Sequence, residues 1–235
     1  MRPGDKFIAI YNELTMVLQE STGASKQVAF FELLERAGKI RPSIRRELPF
    51  LKSMGNLRNA IVHDRQYPET IIADPRQEVF EQFQKTLETF KSPTKVIPKF
   101  QRQISIFKHQ DPLSDILAHM QQNDYSQVVV SVNAEFRILS SEGIVRWLSC
   151  ARQVGLADIE GASAQDVYMH EEQQIDNCYM ARNETTDAAI LAFENAISEG
   201  IPRLPAILIT NSGKLTEKPL GIITPWDLIG IAGNK

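Results

Sequence analysis

A hydroxyl and a carboxylate with the spacing of a ligand-binding site lie close to the C-terminal end of the chain, where residues 221–227 read GIITPWD. A β-branched strand runs straight into a helix start here and places the hydroxyl of Thr224 three positions before the carboxylate of Asp227. A carboxylate can accept hydrogen bonds from both adjacent hydroxyls of a ribose, and a helix N-terminus offers free amides to a phosphate. The segment therefore predicts a polar site of nucleoside size.

The same residues also have an explanation in helix capping. Thr224 is a suitable N-cap, Pro225 suits the first helical position, and the helix dipole favours Asp227 in the first turn. The sequence leaves ligand contact and pure capping open. Arg203, just before an apolar strand, is a third candidate for the site, with a solvated surface position as its alternative.

A degraded copy of this segment lies roughly eighty residues earlier, where residues 137–143 read RILSSEG. Each segment follows a helix and an apolar strand, so an internal repeat is the first hypothesis. Ser140 keeps the hydroxyl, whereas Gly143 stands where the second copy has Asp227. Glu142 lies one position too early, which on a helix turns it about 100° away. We therefore expect the first copy to lack the carboxylate and one cleft to be functional.

A second candidate site lies in the N-terminal part, where residues 57–64 read LRNAIVHD. Arg58 is a fixed cation and His63 titrates near neutral pH, so they could stabilise a phosphorane and carry a proton. Asn59 shares a helix face with His63 and can orient its imidazole. The structural alternative places His63 at a helix C-terminus and pairs Arg58 with a carboxylate such as Asp64.

The elements that must position these residues change character along the chain. The first ninety residues carry apolar side chains at spacings of three and four, which predicts helices only. The predicted helices span residues 5–19, 25–37 with Gly38 as C-cap, 43–63 with a break at Pro49, and 74–90 with a start at Asp74-Pro75. This part is therefore predicted to be a bundle of four or five helices.

Later residues alternate between short strands and short helices in the order strand, helix, strand, strand, helix, which occurs twice. The predicted elements are 104–108, 111–122, 127–132, 136–139 and a helix from 141, then 178–181, 186–199, 206–210, 220–223 and a helix from 225. Residues 164–169 are interpreted as an additional strand and residues 171–172 as a solvated face. Trp147 and Trp226, on the closing helices, are expected to pack between the copies.

We therefore predict an α+β protein with an all-α bundle at residues 1–90, a linker at 91–98, and β-α-β-β-α units at 99–155 and 156–235.

The net charge of −3 over 235 residues argues against wholesale binding of duplex nucleic acid, so any RNA contact has to be local. No apolar run approaches the roughly 18 residues that span a bilayer, and no signal-peptide order is present, which predicts a cytoplasmic protein without a membrane partner. The cysteines and histidines lack metal-site spacing, so no metal is predicted.

The repeated order of elements, with PAILI at residues 205–209 and GIIT-x-x-D at 221–227, resembles a tandem pair of CBS domains over about residues 92–234. The resemblance implies two copies packed around a pseudo-twofold axis, with clefts that bind ATP, ADP, AMP or S-adenosylmethionine. It also implies that Asp227 contacts the ribose, with Thr224 and Arg203 as further ligand contacts.

The arginine and histidine of residues 57–64 resemble the signature of HEPN domains, over about residues 1–90. The resemblance implies a dimer in which paired Arg58 and His63, with Asn59, form a metal-independent site for RNA cleavage. Three functions remain: a homodimeric regulator whose adenosyl ligand modulates the helical effector, a nucleotide-gated ribonuclease, and a dimeric interaction scaffold with a decayed cleft. We favour the first, a regulator rather than an enzyme.

Overall fold

The computed structural model describes residues 2–63, 73–154, 158–171, 178–201 and 203–232, and it confirms the mixed α+β prediction. The elements are α1 (Pro3–Thr22), α2 (Phe30–Ile40), α3 (Pro42–His63), α4 (Gln77–Lys91), α5 (Val96–Lys99), β1 (Ile106–Lys108), α6 (Leu113–Asn123), β2 (Gln127–Val132), β3 (Glu135–Ser140), α7 (Ser141–Val154), α8 (Ala164–Tyr168), β4 (Tyr179–Ala181), α9 (Thr186–Ser198), β5 (Ile207–Thr210), β6 (Gly221–Ile223) and α10 (Pro225–Ala232). The chain divides into a helical unit, residues 1–94 with 186–191, and a repeat unit, residues 95–185 with 192–235.

The helical unit is held together by one apolar core. Phe7, Leu14 and Leu18 of α1 fall on one helix face and are fully buried in this core, to which α2, α3 and α4 also contribute. Each such side chain stabilises the fold by roughly 1.5–3 kcal/mol relative to an exposed position. Residues 186–191 of α9 belong to the same unit, where the buried carboxylate of Asp187 accepts a hydrogen bond of 2.8 Å from the backbone N–H of Ser43.

The start and end of α2 differ from the sequence prediction. The helix begins at Phe30 rather than at residue 25, and Gly38 lies inside it instead of capping it. The helix ends at Ile40 because the next helix starts at Pro42, and the residue before a proline is disfavoured in the α region.

The predicted break at Pro49 is also wrong, because α3 runs through this proline. An internal proline removes one backbone hydrogen bond and costs about 3 kcal/mol. Ile44 and Leu51 lie on either side of Pro49, and both are fully buried in the core of the helical unit. Packing on both sides of the proline therefore offsets its local cost.

The repeat unit contains two three-stranded sheets of the same topology. In each sheet the first strand runs parallel to the second, and the second runs antiparallel to the third. The registers correspond as well, because Val129 pairs with Ile138 in the first copy and Leu208 pairs with Ile222 in the second. The two copies can therefore be matched residue by residue.

Between the copies, residues 164–168 form helix α8 rather than the predicted strand. The backbone N–H and the hydroxyl of Ser163 donate to Oδ2 of Asp166 at 2.8 and 2.7 Å. This capping arrangement starts a helical turn, which explains why the apolar residues do not extend as a strand. Val167 and Tyr168 of α8 are buried in the core of the first copy.

Gly221 opens strand β6 because another backbone segment crosses directly over it. Gln101 forms a β-bridge with Gly221, and a Cβ at position 221 would overlap the carbonyl oxygen of Phe100. Glycine is therefore required here by a close backbone approach. The same approach brings Arg102 to the start of α10.

We expect the substitution Gly221→Ala to lower the free energy of unfolding by about 1–3 kcal/mol, because the opposing atom belongs to a backbone that cannot rotate away. Urea denaturation followed by circular dichroism measures this change. Gly161→Ala is the matched control, since a Cβ there meets the flexible side chain of Asp158. Equal denaturation midpoints for the two variants would contradict the close approach.

Candidate functional site

Two cavities of the repeat unit lie at its two strand-to-helix junctions. Cavity A has a volume of about 510 Å³ and is lined at the β3–α7 junction by Ile138 and Ser140. Cavity B has a volume of about 160 Å³ and is lined at the β6–α10 junction by Ile222 and Thr224. These residues are equivalent in strand register, so the cavities are pseudo-equivalent. Small-molecule pockets measure about 300–1,000 Å³, a range that includes cavity A and excludes cavity B.

Both carboxylate oxygens of Asp227 accept hydrogen bonds from the protein at the β6–α10 junction. Its Oδ2 accepts from the backbone N–H of Thr224 at 2.7 Å and from the Thr224 hydroxyl at 2.8 Å, while Nη2 of Arg102 donates to Oδ1 at 2.8 Å. Burial by itself raises the pKa of Asp227, but the bonds from Arg102 and Thr224 outweigh burial and hold this pKa below its ordinary value. Asp227 is therefore an ionised helix cap.

The β3–α7 junction has the same arrangement, with a carboxylate that comes from another part of the chain. The backbone N–H of Ser140 donates to Oε1 of Glu171 at 2.6 Å, and the Ser140 hydroxyl lies 3.1 and 3.0 Å from the two carboxylate oxygens. The N–H of Gly143 donates to the Ser140 hydroxyl at 3.1 Å, as Asp227 does to Thr224 at 3.4 Å. A Cβ at position 143 would overlap the Glu171 carboxylate. Glu171 thus occupies the place of the missing side chain.

The expectation that the first copy lacks a carboxylate is corrected by this arrangement. Glu171 lies 31 positions from Ser140, so no local pattern links the two residues. The interpretation of residue 171 as part of a solvated face is also wrong, because Glu171 lines cavity A and is half-buried. The available sequence signal was Gly143 itself, a residue without a side chain where the second copy has the carboxylate of Asp227.

The three residues predicted to share one ligand site are divided between the cavities. Arg203 lines cavity A, where its guanidinium group forms an ion pair with Glu142. Thr224 lines cavity B and is hydrogen-bonded to Asp227. The structure therefore keeps the Thr224–Asp227 pair together and places Arg203 with the junction of the first copy.

The two tryptophans have different environments. Trp147 is buried in the core of the first copy. Trp226 is 76% exposed and lines cavity A, so its expected packing between the copies is wrong. The reason is its place in the first turn of α10, directly after the junction, whereas Trp147 lies in the middle of α7.

Two guanidinium groups line cavity A, and they differ in their burial and in the exposure of their ion pairs. Arg137 is buried, and its Nε donates to Oε2 of Glu135 at 3.0 Å. The side chain of Arg203 is 66% exposed, and its partner Glu142 is 40% exposed. Exposed ion pairs contribute about 0–1 kcal/mol, so Arg203 can exchange Glu142 for a ligand anion at small cost.

In the helical unit, the predicted catalytic residues lie on α3. The guanidinium group of Arg58 lies over the ring of Tyr11, 5.5 Å from its centroid, and Nη1 of Arg58 is 3.4 Å from Oδ1 of the exposed Asn59. His63 is the last residue of α3, and its side chain lies outside the described residues. The observed contacts give Arg58 a packing role.

Comparisons with known proteins yield structural similarities alone, since no family model and no curated protein matches the chain. An acetoin utilization protein (AcuB) from Vibrio cholerae is 15% identical with a TM-score of 0.42, over 60% of this chain and 90% of that one. CBSX2 in complex with AMP is 14% identical with a TM-score of 0.41, over 59% and 96%. A CBS domain-containing protein from Thermotoga maritima is 11% identical with a TM-score of 0.41, over 61% and 99%. These identities and TM-scores are too low to indicate a ligand for this chain. A ligand class therefore has to be inferred from the side chains that line its cavities.

Within the described ranges, no group of three His, Cys, Asp or Glu side chains could hold a metal ion. Among the helices that the structure describes, none is both long and apolar enough to cross a bilayer.

We expect Arg58→Ala to destabilise the helical unit by about 1 kcal/mol, because it removes a cation–π contact and the packing of the arginine stem on Tyr11. Arg46→Ala is the matched control, since Arg46 is an exposed residue of the same helix. Thermal unfolding of both variants gives the comparison. A melting temperature unchanged by Arg58→Ala would show that the contact contributes nothing.

The environment of Glu171 predicts a pH dependence of stability. Burial raises the pKa of this carboxyl above its ordinary value of 4.5, against the opposing effect of the hydrogen bonds from Ser140. A raised folded-state pKa stabilises the protein below the unfolded-state pKa, and this contribution is lost as the pH rises through the folded-state pKa. Relative to Glu171→Gln, the wild-type protein should therefore lose stability as the pH is raised from below 4.5. Urea unfolding across this pH series is the measurement, and superimposable profiles would refute the expectation.

Proposed function

We propose that the repeat unit is a CBS-like regulatory module that binds an adenosyl ligand, such as ATP, ADP, AMP or S-adenosylmethionine, in cavity A. The observation that carries this proposal is a cavity of about 510 Å³ that is bordered by both copies and contains a hydroxyl–carboxylate junction. Its volume suits a ligand of this size, whereas cavity B is smaller, and the carboxylate at the adjacent β6–α10 junction, Asp227, is paired with Arg102.

The lining of cavity A supports this ligand class. The indole of Trp226 is exposed at the cavity and offers an aromatic face to a purine. Arg203 offers a guanidinium group to a phosphate or to the carboxylate of S-adenosylmethionine. Ile138, Leu204 and Pro205 supply apolar surface. In this proposal, Thr224 and Asp227 cap helix α10 at the second junction and do not contact the ligand.

The helical unit is the effector in this proposal, and the protein acts as a homodimer. A ligand shifts a conformational equilibrium only through a difference in its affinity for the two states. Helix α9 contributes residues 186–191 to the helical unit and its remaining residues to the repeat unit, which supports α9 as the element that carries the change. RNA contact by residues 57–64 stays a prediction for the effector.

Ligand binding is tested by thermal shift and calorimetry on the full chain with ATP, ADP, AMP and S-adenosylmethionine. A ligand that binds the folded state stabilises it by about 2.7 kcal/mol at a concentration of one hundred times Kd, which raises the melting temperature. The absence of any shift with all four compounds would overturn the proposal.

The substitution Arg203→Ala is expected to lower the affinity for ATP about tenfold and to leave the affinity for adenosine unchanged. A charge-assisted hydrogen bond contributes about 1.5–3 kcal/mol, and 1.4 kcal/mol corresponds to a factor of ten in Kd. Arg182→Ala is the control, because Arg182 is an exposed arginine of the repeat unit outside the lining of cavity A. Equal loss of ATP and adenosine binding would exclude a phosphate contact by Arg203.

A further inference from the structure

We infer that Glu171 is the residue of cavity A that accepts hydrogen bonds from the vicinal hydroxyls of a ribose, in place of the carboxylate that position 143 lacks. The inference rests on the proposed function and adds to it the sugar-binding residue and a requirement for a ribonucleoside. Four observations carry it: the equivalence of the junctions, the occupied space at Gly143, the acceptor capacity of Glu171, and its position in the cavity lining.

The equivalence of the junctions shows which carboxylate of the first copy takes the position of Asp227. Ser140 and Thr224 each direct a backbone N–H and a hydroxyl to one carboxylate group. In the second copy this group belongs to Asp227, three positions further on the same helix. In the first copy it belongs to Glu171, which follows α8 and reaches the same donors from outside the helix.

The absence of a side chain at Gly143 leaves room for the carboxylate of Glu171 at this junction. Because a Cβ at position 143 would overlap the Glu171 carboxylate, a side chain there and the observed position of Glu171 exclude each other. Glycine at position 143 and glutamate at position 171 therefore form a complementary pair. Together they place at one junction a carboxylate that occupies the region where the other junction has Asp227.

The two carboxylates differ in the number of hydrogen bonds that they already accept from the protein. A carboxylate has about four acceptor positions. Ser140 has two donors, its N–H and its hydroxyl, and can therefore fill two of the positions on Glu171. Asp227 receives the same two donors from Thr224 on Oδ2 and a third from Arg102 on Oδ1. By this count, the two donors of Ser140 leave two acceptor positions on Glu171, a number that matches the two hydroxyls of a vicinal diol.

Glu171 lies in the lining of cavity A, where the ligand is proposed to bind. Glu171, Ser140 and Arg203 line the same cavity, together with the exposed indole of Trp226. A ribonucleoside needs an acceptor for its diol, a flat apolar face for its base and a cation for any attached anion. Cavity A contains all three, and the acceptor among them is Glu171.

The experiment measures binding of the tightest ligand among ATP, ADP, AMP and S-adenosylmethionine by calorimetry, with adenosine and 2′-deoxyadenosine as competitors. In the wild-type protein, adenosine should compete at least about tenfold better than 2′-deoxyadenosine, because one charge-assisted hydrogen bond is lost. The substitution Glu171→Gln should weaken ligand binding by about tenfold or more and abolish this preference. Asp227→Asn, the matched carboxylate-to-amide change at the other junction, should leave both unchanged.

A rescue variant distinguishes ligand contact from a structural effect. The double substitution Glu171→Ala with Gly143→Asp moves the carboxylate to the position it has in the second copy, and it should restore binding and the preference for ribose. Normal melting temperatures show that each variant is folded. Wild-type binding that is lost in Asp227→Asn and kept in Glu171→Gln would overturn this inference and leave the proposed function intact. Failure of the wild type to bind any of the four ligands would overturn both.

Discussion

The repeat unit depends on one interaction at each strand-to-helix junction. There, a carboxylate accepts hydrogen bonds from the first free donors of the closing helix. A helix begins with four backbone N–H groups that have no partner within the helix. Thr224 and Asp227 bond each other reciprocally at the start of α10. This interaction fixes the angle at which the helix leaves the sheet, and the sheet edge and helix start on either side of it form the wall of a cavity.

The two copies satisfy this constraint differently, and the cavities beside the two junctions differ in volume. In the second copy, Gly221 admits the backbone at Phe100, which carries Arg102 onto the carboxylate of Asp227. In the first copy, the residue equivalent to Gly221 is Arg137, whose buried side chain is paired with Glu135. The carboxylate of Asp227 is thus paired with an arginine, whereas Glu171 accepts its hydrogen bonds from Ser140.

Local sequence patterns predicted the parts that depend on local physics. The order of strands and helices and the pairing of Thr224 with Asp227 follow from side-chain periodicity and capping, which act over a few residues. Glu171 could not be predicted, because its partner Ser140 is brought to it by the packing of α8 on the first copy. The passage of α3 through Pro49 has the same origin, since tertiary burial decided it against local preference.

Supplying a carboxylate from a separate segment has a mechanical consequence that a carboxylate on the closing helix does not have. Glu171 follows α8 by three residues, and Tyr168 of α8 is buried in the core of the first copy. A ligand that bonds to Glu171 therefore acts on α8 and its core contacts as well as on the start of α7. On the proposed role of Glu171, occupancy of cavity A stabilises the segment between the copies together with the junction. Such a ligand changes the population of two states if the contacts of Glu171 differ between them.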